Sequence, residues 1–383
     1  MLTPGISFTN FKIKKHSSLV KKNLISILKS KNEVLNSLSQ NYKNSFTKKL
    51  LHKYKKIPNY RVIGMGGSTL GTQTIYDFLK HKIKKNFIFT DNLQANPNKS
   101  KRKYTNLIVS KSGNTIETIV NANIHIKKKD KNIFITENKN SYLYSLAEKL
   151  KSDIIHHNNF IGGRYSVLSE VGMLPAELMG LKPSNFRQLN NLIKNKKFIN
   201  SLILNVSSTL YFIKNRKFNS VIINYDERSE NLFNWYQQLV AESLGKKKKG
   251  LLPIVSNMPK DNHSTMQLYL DGFKNNFFTF FYVKEKNSEK IKNNTILPTK
   301  YYLKNKNLSQ VTLAQKKATE NVFKKKNIPF RSFEIKKRDE KTLGELFCFF
   351  ILETILIGQS MNLNPYDQPA VELIKIETKK LLI

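Results

Sequence analysis

The stretch 105-TNLIVSKSGNTIETI-119 joins an apolar run to a polar cluster and then to the opening of a helical pattern. Leu107, Ile108 and Val109 are short and branched, which suits a buried strand better than a helix, and the cluster begins where they stop. Ile116, Glu117, Thr118 and Ile119 then start a helix. A strand that turns through Gly113 into a helix N-terminus leaves backbone N–H groups facing a point where the helix dipole favours negative charge. Two readings stand side by side. One is a phosphate cradle; the other is an ordinary turn capped by Ser112, Asn114 or Thr115.

Working outward, similar strand-to-helix units recur. Strand patterns fall at 60–64, 86–90, 106–110, 132–136 and 153–156, and again at 220–225, 251–256, 277–283 and 329–334, joined by a helical stretch around 173–215. Alternation of this kind predicts an α/β fold of two doubly wound domains with mainly parallel sheets, ligands meeting the carboxyl ends of the strands. The expected divisions are a helical segment over 1–50, a first α/β domain over 51–205, a second over 206–360, and a C-terminal helix over 361–383.

The chain has 383 residues, of which 39% are hydrophobic, enough to bury a sizeable core. Its formal charge of +39 would suit nucleic acid or an anionic surface. The excess is mostly lysine, however, and is spread along the chain with abundant Asn, Ile, Phe and Tyr, as compositional drift would leave it. No zinc-finger spacing or RNP-like aromatic pattern accompanies it, so no specific nucleic-acid partner is expected. The single cysteine, Cys348, lies in the apolar run 347-FCFFILETILIG-358, which rules out an intramolecular disulfide and points to a reducing compartment. That run also carries Glu353 and is short for a bilayer span. The basic N-terminus leaves a transit peptide open, but lysine drift explains the same composition. The expected location is cytoplasmic, without a membrane partner.

Other stretches carry polar groups at informative positions. In 61-RVIGMGGSTLGTQTIYDFL-79, Gly66 and Gly67 permit close approach of a backbone, and Ser68 offers a hydroxyl. The glycine spacing is not the dinucleotide fingerprint, Asp91 is too distant to serve as its acidic residue, and the P-loop ending is missing. A tight turn without a ligand is the competing reading. In 159-NFIGGRYSVLSEVGMLP-175, two glycines set Arg164 at a bend, where a guanidinium can hold an anionic oxygen or simply face solvent. Over 231–245, Asn231, Trp235, Gln238 and Glu242 share one helical face apart from the apolar one. Glu242 is there either a general base or a solvated carboxylate beside the lysines at 246–249. His263, in 260-KDNHSTMQLYLDG-272, is either a helix cap or an acid–base group. His156 and His157 end a strand pattern, one facing in and one out. Near the C-terminus Gln368, Glu372 and Lys375 follow a Pro-marked turn; Glu372 and Lys375 form either a surface ion pair or a lysine directed into a cleft. No Cys or His spacing resembles a metal site.

Taken in order, these segments resemble the glucose-6-phosphate isomerase family: GxGGSxxG at 64–71, SKSGNTxET at 110–118, GGRYS at 162–166, QQLxxESxGK at 237–246, DNH at 261–263 and YDQxxVExxK at 366–375. The resemblance implies two sugar-isomerase-type αβα sandwich domains and reversible conversion of glucose 6-phosphate to fructose 6-phosphate through a cis-enediolate, in glycolysis and gluconeogenesis, with no cofactor and no metal. By similarity Ser110, Lys111, Ser112 and Thr115 bind the phosphate, and Gly67, Ser68 and Gln368 line the sugar site. Glu242 would move the proton between C1 and C2, and Arg164 would stabilise the enediolate. His263, lent across a homodimer interface, and Lys375 would assist ring opening. Three residues depart from the family pattern: Glu170 stands where a small residue is usual, Tyr366 replaces a phenylalanine and Ala370 replaces a glycine. Competing readings are an isomerase that also accepts mannose 6-phosphate, a non-catalytic sugar-phosphate sensor, and a nucleic-acid binder resting on charge alone.

Overall fold

The computed structural model describes residues 1–13, 17–97, 102–285, 287–292 and 296–383. Among them, ten strands form two five-stranded sheets. They are β1 (Ile6–Thr9), β2 (Asn59–Ile63), β3 (Asn86–Thr90), β4 (Thr105–Val109), β5 (Asn132–Thr136), β6 (Asp153–His156), β7 (Asn219–Asn224), β8 (Leu252–Asn257), β9 (Asn276–Val283) and β10 (Phe330–Ile335). The first sheet runs β3-β2-β4-β5-β6 and is parallel throughout. In this order the connections reverse direction between β2 and β4, so their carboxyl ends flank the crevice where a ligand is expected. The second runs β1-β10-β9-β7-β8, parallel except for β1.

Period-two alternation sorts each strand between two cores. On β4, Leu107 and Val109 join one cluster and Ile108 another; on β5, Ile133 and Ile135 part from Phe134 in the same way. Ile108 and Phe134 pack on Ala122, Leu143 and Ala147. The inner faces of both sheets contribute to one continuous core, filled between them by helices Leu70–Phe78, Glu170–Leu178, Lys196–Lys214, Glu230–Leu244 and Glu340–Ser360. A division at residue 205 falls inside Lys196–Lys214, whose Phe198, Leu202, Val206 and Phe212 are buried in that core.

The nine strand patterns read from sequence match strands to within a residue at each end. The N-terminal segment differs: besides helices Ser18–Lys29, Glu33–Ser37 and Lys48–Tyr54 it supplies β1, antiparallel to β10. Ile6 is fully buried and the Phe8 ring lies 4.4 Å from that of Phe333. Four residues carry too little periodicity to announce a strand; the partner edge makes it one. The run around Cys348 extends into the 21-residue helix Glu340–Ser360, capped by the Asp339 side chain. It is long and apolar enough to cross a membrane by composition, yet 94% of its apolar window is buried inside the protein. Burial pushes the Cys348 thiol up to about 12, so it stays an inert core group.

Glu353 within that helix is paired with Arg331 of β10, and both are buried. Arg331 also donates to Thr279 Oγ1 at 2.8 Å and Asn205 Oδ1 at 2.7 Å, which ties the helical layer to the second sheet. Arg331→Met alone should cost about 3–5 kcal/mol by stranding a buried carboxylate, whereas adding Glu353→Leu should recover most of the loss. Urea-unfolding midpoints of the single and double variants check this.

Candidate functional site

The β2 strand ends at Ile63 and the chain turns at once into the short helix Gly66–Ser68. Gly66 has φ of +52°, a conformation open to glycine at little cost. At Gly67 a Cβ would fall 2.2 Å from the Gly163 carbonyl carbon and 2.5 Å from the Arg164 nitrogen, so the two turns touch backbone to backbone. The same turn meets the end of β4: a Cβ on Gly64 would sit 2.8 Å from the Val109 oxygen. One glycine-rich segment therefore abuts both the end of β4, from which the serine-rich bend departs, and the bend carrying Arg164.

The serine-rich bend is braced internally. Ser110 and Thr115 hydroxyls lie 3.0 Å apart, and Gly113, with φ of +67°, donates its N–H to Ser110 Oγ at 3.2 Å. Thr115 gives helix Ile116–His125 no side-chain cap, whereas Ser112 Oγ accepts from the Asn114 N–H at 3.2 Å and Asn114 Oδ1 from the Tyr142 N–H at 3.0 Å, so local turn bonds are present within the bend. Lys111 is anchored by its ammonium, 2.7 Å from the Asn159 carbonyl and 3.6 Å from Glu137.

Arg164 is only 1% exposed, so it is not a surface arginine. Its Nε donates to Ser243 Oγ at 2.8 Å, and Nη2 to the carbonyls of Pro365 at 2.6 Å and Asp367 at 3.0 Å. Nη1 donates to Glu242 Oε2 at 3.1 Å and Gln368 Oε1 at 2.7 Å. Trp235 Nε1 holds the Arg164 carbonyl at 3.0 Å. Glu242 remains partly exposed, with its second oxygen accepting from Gln238 Nε2 at 2.8 Å. A carboxylate fixed at both oxygens, with a guanidinium on one side, can exchange a proton with a ligand and steady negative charge beside it.

The structure brings Arg164, Glu242 and Gln368 into direct contact and sets Gly67 against the Arg164 backbone; Ser68 is half-buried on the same turn. Ser110, Lys111, Ser112 and Thr115 share the adjoining bend. His263 and Lys375 are not hydrogen-bonded to this cluster. His263 is exposed at the end of the short helix Lys260–His263, and Thr265, not His263, takes the N-cap position of helix Met266–Asp271. Lys375 is exposed on helix Val371–Leu381 and pairs with Glu372 at 2.6 Å. Of the adjacent histidines, His157 is buried and His156 exposed. Among the departures, Ala370 has φ of −65° at the start of its helix, where alanine is as suitable as glycine, and Tyr366 packs against Tyr165 with ring centroids 5.7 Å apart.

Helical spacing puts Gln238 on the Glu242 face without indicating its role. It orients the carboxylate, lies against Gly66, and leaves its own buried Oε1 without a protein partner. Its position four residues before Glu242 was the available signal. Beyond the ends of β7 and β9 in the second sheet, Arg338 pairs with Asp226 at 2.6 Å and donates to Glu285 at 2.7 Å.

Comparison with known proteins finds relatives over most of the chain. Residues 18–382 match the family model described as phosphoglucose isomerase. Glucose-6-phosphate isomerase of Methanocaldococcus jannaschii is 34% identical over 353 residues, covering 86% of each chain. The enzyme of the same name from Campylobacter jejuni is 30% identical over 85% of this chain and 86% of its own. In fold, a hypothetical protein of Thermus thermophilus superposes with a TM-score of 0.82 at 24% identity, covering 95% of this chain and 94% of that one. Glucose-6-phosphate isomerase of Chlamydia trachomatis does so with a TM-score of 0.77 at 16% identity, covering 99% and 89%.

The approach at Gly67 yields a direct test. Gly67→Ala should cost about 1–3 kcal/mol, as overpacking does, and move the Arg164 bend away from the β2 turn. Thermal unfolding with a crystal structure of the variant reads both effects.

Proposed function

The chain belongs to the phosphoglucose isomerase family, and on that premise we propose that it interconverts glucose 6-phosphate and fructose 6-phosphate through the cluster around Glu242. The observation that supports the assignment of roles is the 3.1 Å contact between Arg164 and Glu242, set against a glycine turn that also abuts the end of β4 just before the serine-rich bend. In that assignment the substrate's phosphate is held at the serine-rich bend while proton transfer occurs at Glu242.

On this reading Ser110, Ser112 and Thr115 supply hydroxyls to the phosphate, and Lys111 and its neighbours supply backbone N–H groups at the start of helix Ile116–His125. Gly67, Ser68 and Gln368 line the sugar. The ring opens first, His263 and Lys375 moving protons at the ring oxygen and the hydroxyl. Glu242 then takes the proton from C2 of the linear aldose. The C2–H electron pair forms the C1–C2 double bond, and negative charge gathers on the former carbonyl oxygen at C1. A proton α to a carbonyl is only weakly acidic, so this charge must be met as it develops, and on this reading the Arg164 guanidinium, hydrogen-bonded to the base, meets it. The same carboxylate returns the proton to C1 while the O2 proton leaves and O1 gains one, giving the ketose. Electrons are redistributed within the substrate alone, so the step balances without an external oxidant or reductant.

Because His263 is exposed and distant in bonding from Arg164, we assign it to the site of a partner subunit in a homodimer. Cytoplasmic glycolysis and gluconeogenesis are the setting that this reaction fits.

Glu242→Gln keeps the hydrogen-bonding shape but cannot accept the proton; kcat should fall about 100- to 10,000-fold while sugar-phosphate binding persists. A coupled assay with a binding titration checks this, and wild-type turnover would remove Glu242 from its role. A second expectation concerns the shared histidine. Glu242→Gln and His263→Ala chains, each inactive as homodimers, should regain activity when unfolded together and reassembled, since a mixed dimer contains one intact site. Failure of the mixture to exceed either parent would place His263 in its own chain's site or outside it.

A further inference from the structure

Glu170 begins helix Glu170–Leu178 and is 1% exposed, too buried to meet a ligand. A buried carboxylate needs a donor for each oxygen. Glu170 Oε2 accepts from the Tyr42 hydroxyl at 2.9 Å, and Oε1 accepts from the Asn158 backbone N–H at 2.7 Å. Arg187 supplies positive charge to the same enclosure: it lies over the Tyr42 ring at 4.9 Å and donates to the Tyr42 and Leu168 carbonyls. His157 is buried beside them, and burial shifts its titration downward, which favours the uncharged ring.

What Glu170 holds leads to the phosphate bend. Asn158 also donates through Nδ2 to Glu33 at 3.0 Å and accepts from the Phe160 N–H at 2.9 Å. The next residue, Asn159, offers the carbonyl that receives the Lys111 ammonium at 2.7 Å. Lys111 stands between Ser110 and Ser112. A chain of direct contacts thus runs from Glu170 through the Asn158 N–H and the Asn159 carbonyl to Lys111.

We propose that Glu170 is a positioning residue for phosphate recognition, fixing the 157–162 segment so that Lys111 and the serine-rich bend keep a binding-competent shape. The proposal rests on reading that bend as the phosphate site. It further implies a division of effects. Arg164 follows the same segment, but its guanidinium is tied independently to Ser243, Glu242, Gln368 and the carbonyls of Pro365 and Asp367. Loosening the segment should therefore weaken phosphate affinity and leave proton transfer intact.

The test compares Glu170→Ala, Glu170→Gln, Tyr42→Phe and Thr115→Val in the full-length enzyme, measuring kcat, KM for glucose 6-phosphate, inhibition by inorganic phosphate, and thermal unfolding. Glu170→Ala should raise KM and the phosphate inhibition constant together, each about tenfold, as loss of one hydrogen bond to a charged group would, with kcat unchanged. Glu170→Gln, which can still accept one of the two bonds, should fall between; if the alanine variant does not fold, it decides the matter. Tyr42→Phe should lower thermal stability without the tenfold change, because the Asn158 contact remains. Folded Glu170 variants with wild-type KM and phosphate inhibition, or with a fall confined to kcat, would overturn the proposal. Unchanged phosphate inhibition in Thr115→Val would instead overturn the assignment of the bend.

Discussion

A guanidinium withdrawn almost completely from water must find acceptors for its N–H groups or cost several kcal/mol, and Arg164 finds its acceptors on two separate parts of the chain. Ser243 and Glu242 belong to helix Glu230–Leu244, while Pro365, Asp367 and Gln368 belong to the turn before the C-terminal helix. Its own backbone stands on the Gly163–Leu168 helix against the β2 turn. The requirement that these acceptors converge is a constraint on how the parts assemble, and it leaves little freedom in where the base can lie. The planar fork matters, since a lysine would offer a single charged nitrogen in place of donors aimed in three directions.

The frame around this hub is made to hold it still. The two sheets share a core, so the turn after β2 and the helix bearing Glu242 are parts of one packed body. Gly67 and Gly71 let neighbouring elements come closer than any side chain would allow: a Cβ on Gly71 would lie 2.7 Å from Val167 Cγ2. Close packing of this kind favours catalysis because a base displaced by an ångström loses much of its effect. At the second sheet Arg338 pairs with Asp226 and lies over the Phe78 ring at 4.8 Å, which ties that sheet's loops to helix Leu70–Phe78 behind the β2 turn.

Much of this was legible in the sequence because buried parallel strands are apolar runs ended by turn residues, a local signal. β1 was not legible, for its alternation spans only Ile6 to Thr9 and its partner lies more than 300 residues away. The motif residues were visible as residue types, yet spacing could not say that Arg164 is buried or that Glu242 is bound to it. Those facts depend on tertiary contacts between the segments near 164, 242 and 368. Glu170 illustrates the same limit: it looked like a departure from a pattern, and its two hydrogen bonds come from residues 42 and 158. Gln238 was legible by its helical offset, but its unmatched Oε1 was not.

The two halves of the proposed chemistry are distributed unequally within one chain. Proton abstraction would rest on the buried Arg164 and the partly exposed Glu242, whereas ring opening would rest on His263 and Lys375, both exposed. The helix that carries Lys375 has no buried residue, and Leu373, Ile374 and Leu381 on it are each more than half exposed. A monomer gains nothing by leaving such side chains in water, and exposed apolar surface next to functional groups is the usual sign of a contact yet to be made. Assembly of two chains would cover apolar surface and supply ring-opening groups together. On this view the Arg164–Glu242 pair forms within one chain, and the proposed association would complete the site around it, so activity and assembly would be two readings of one equilibrium.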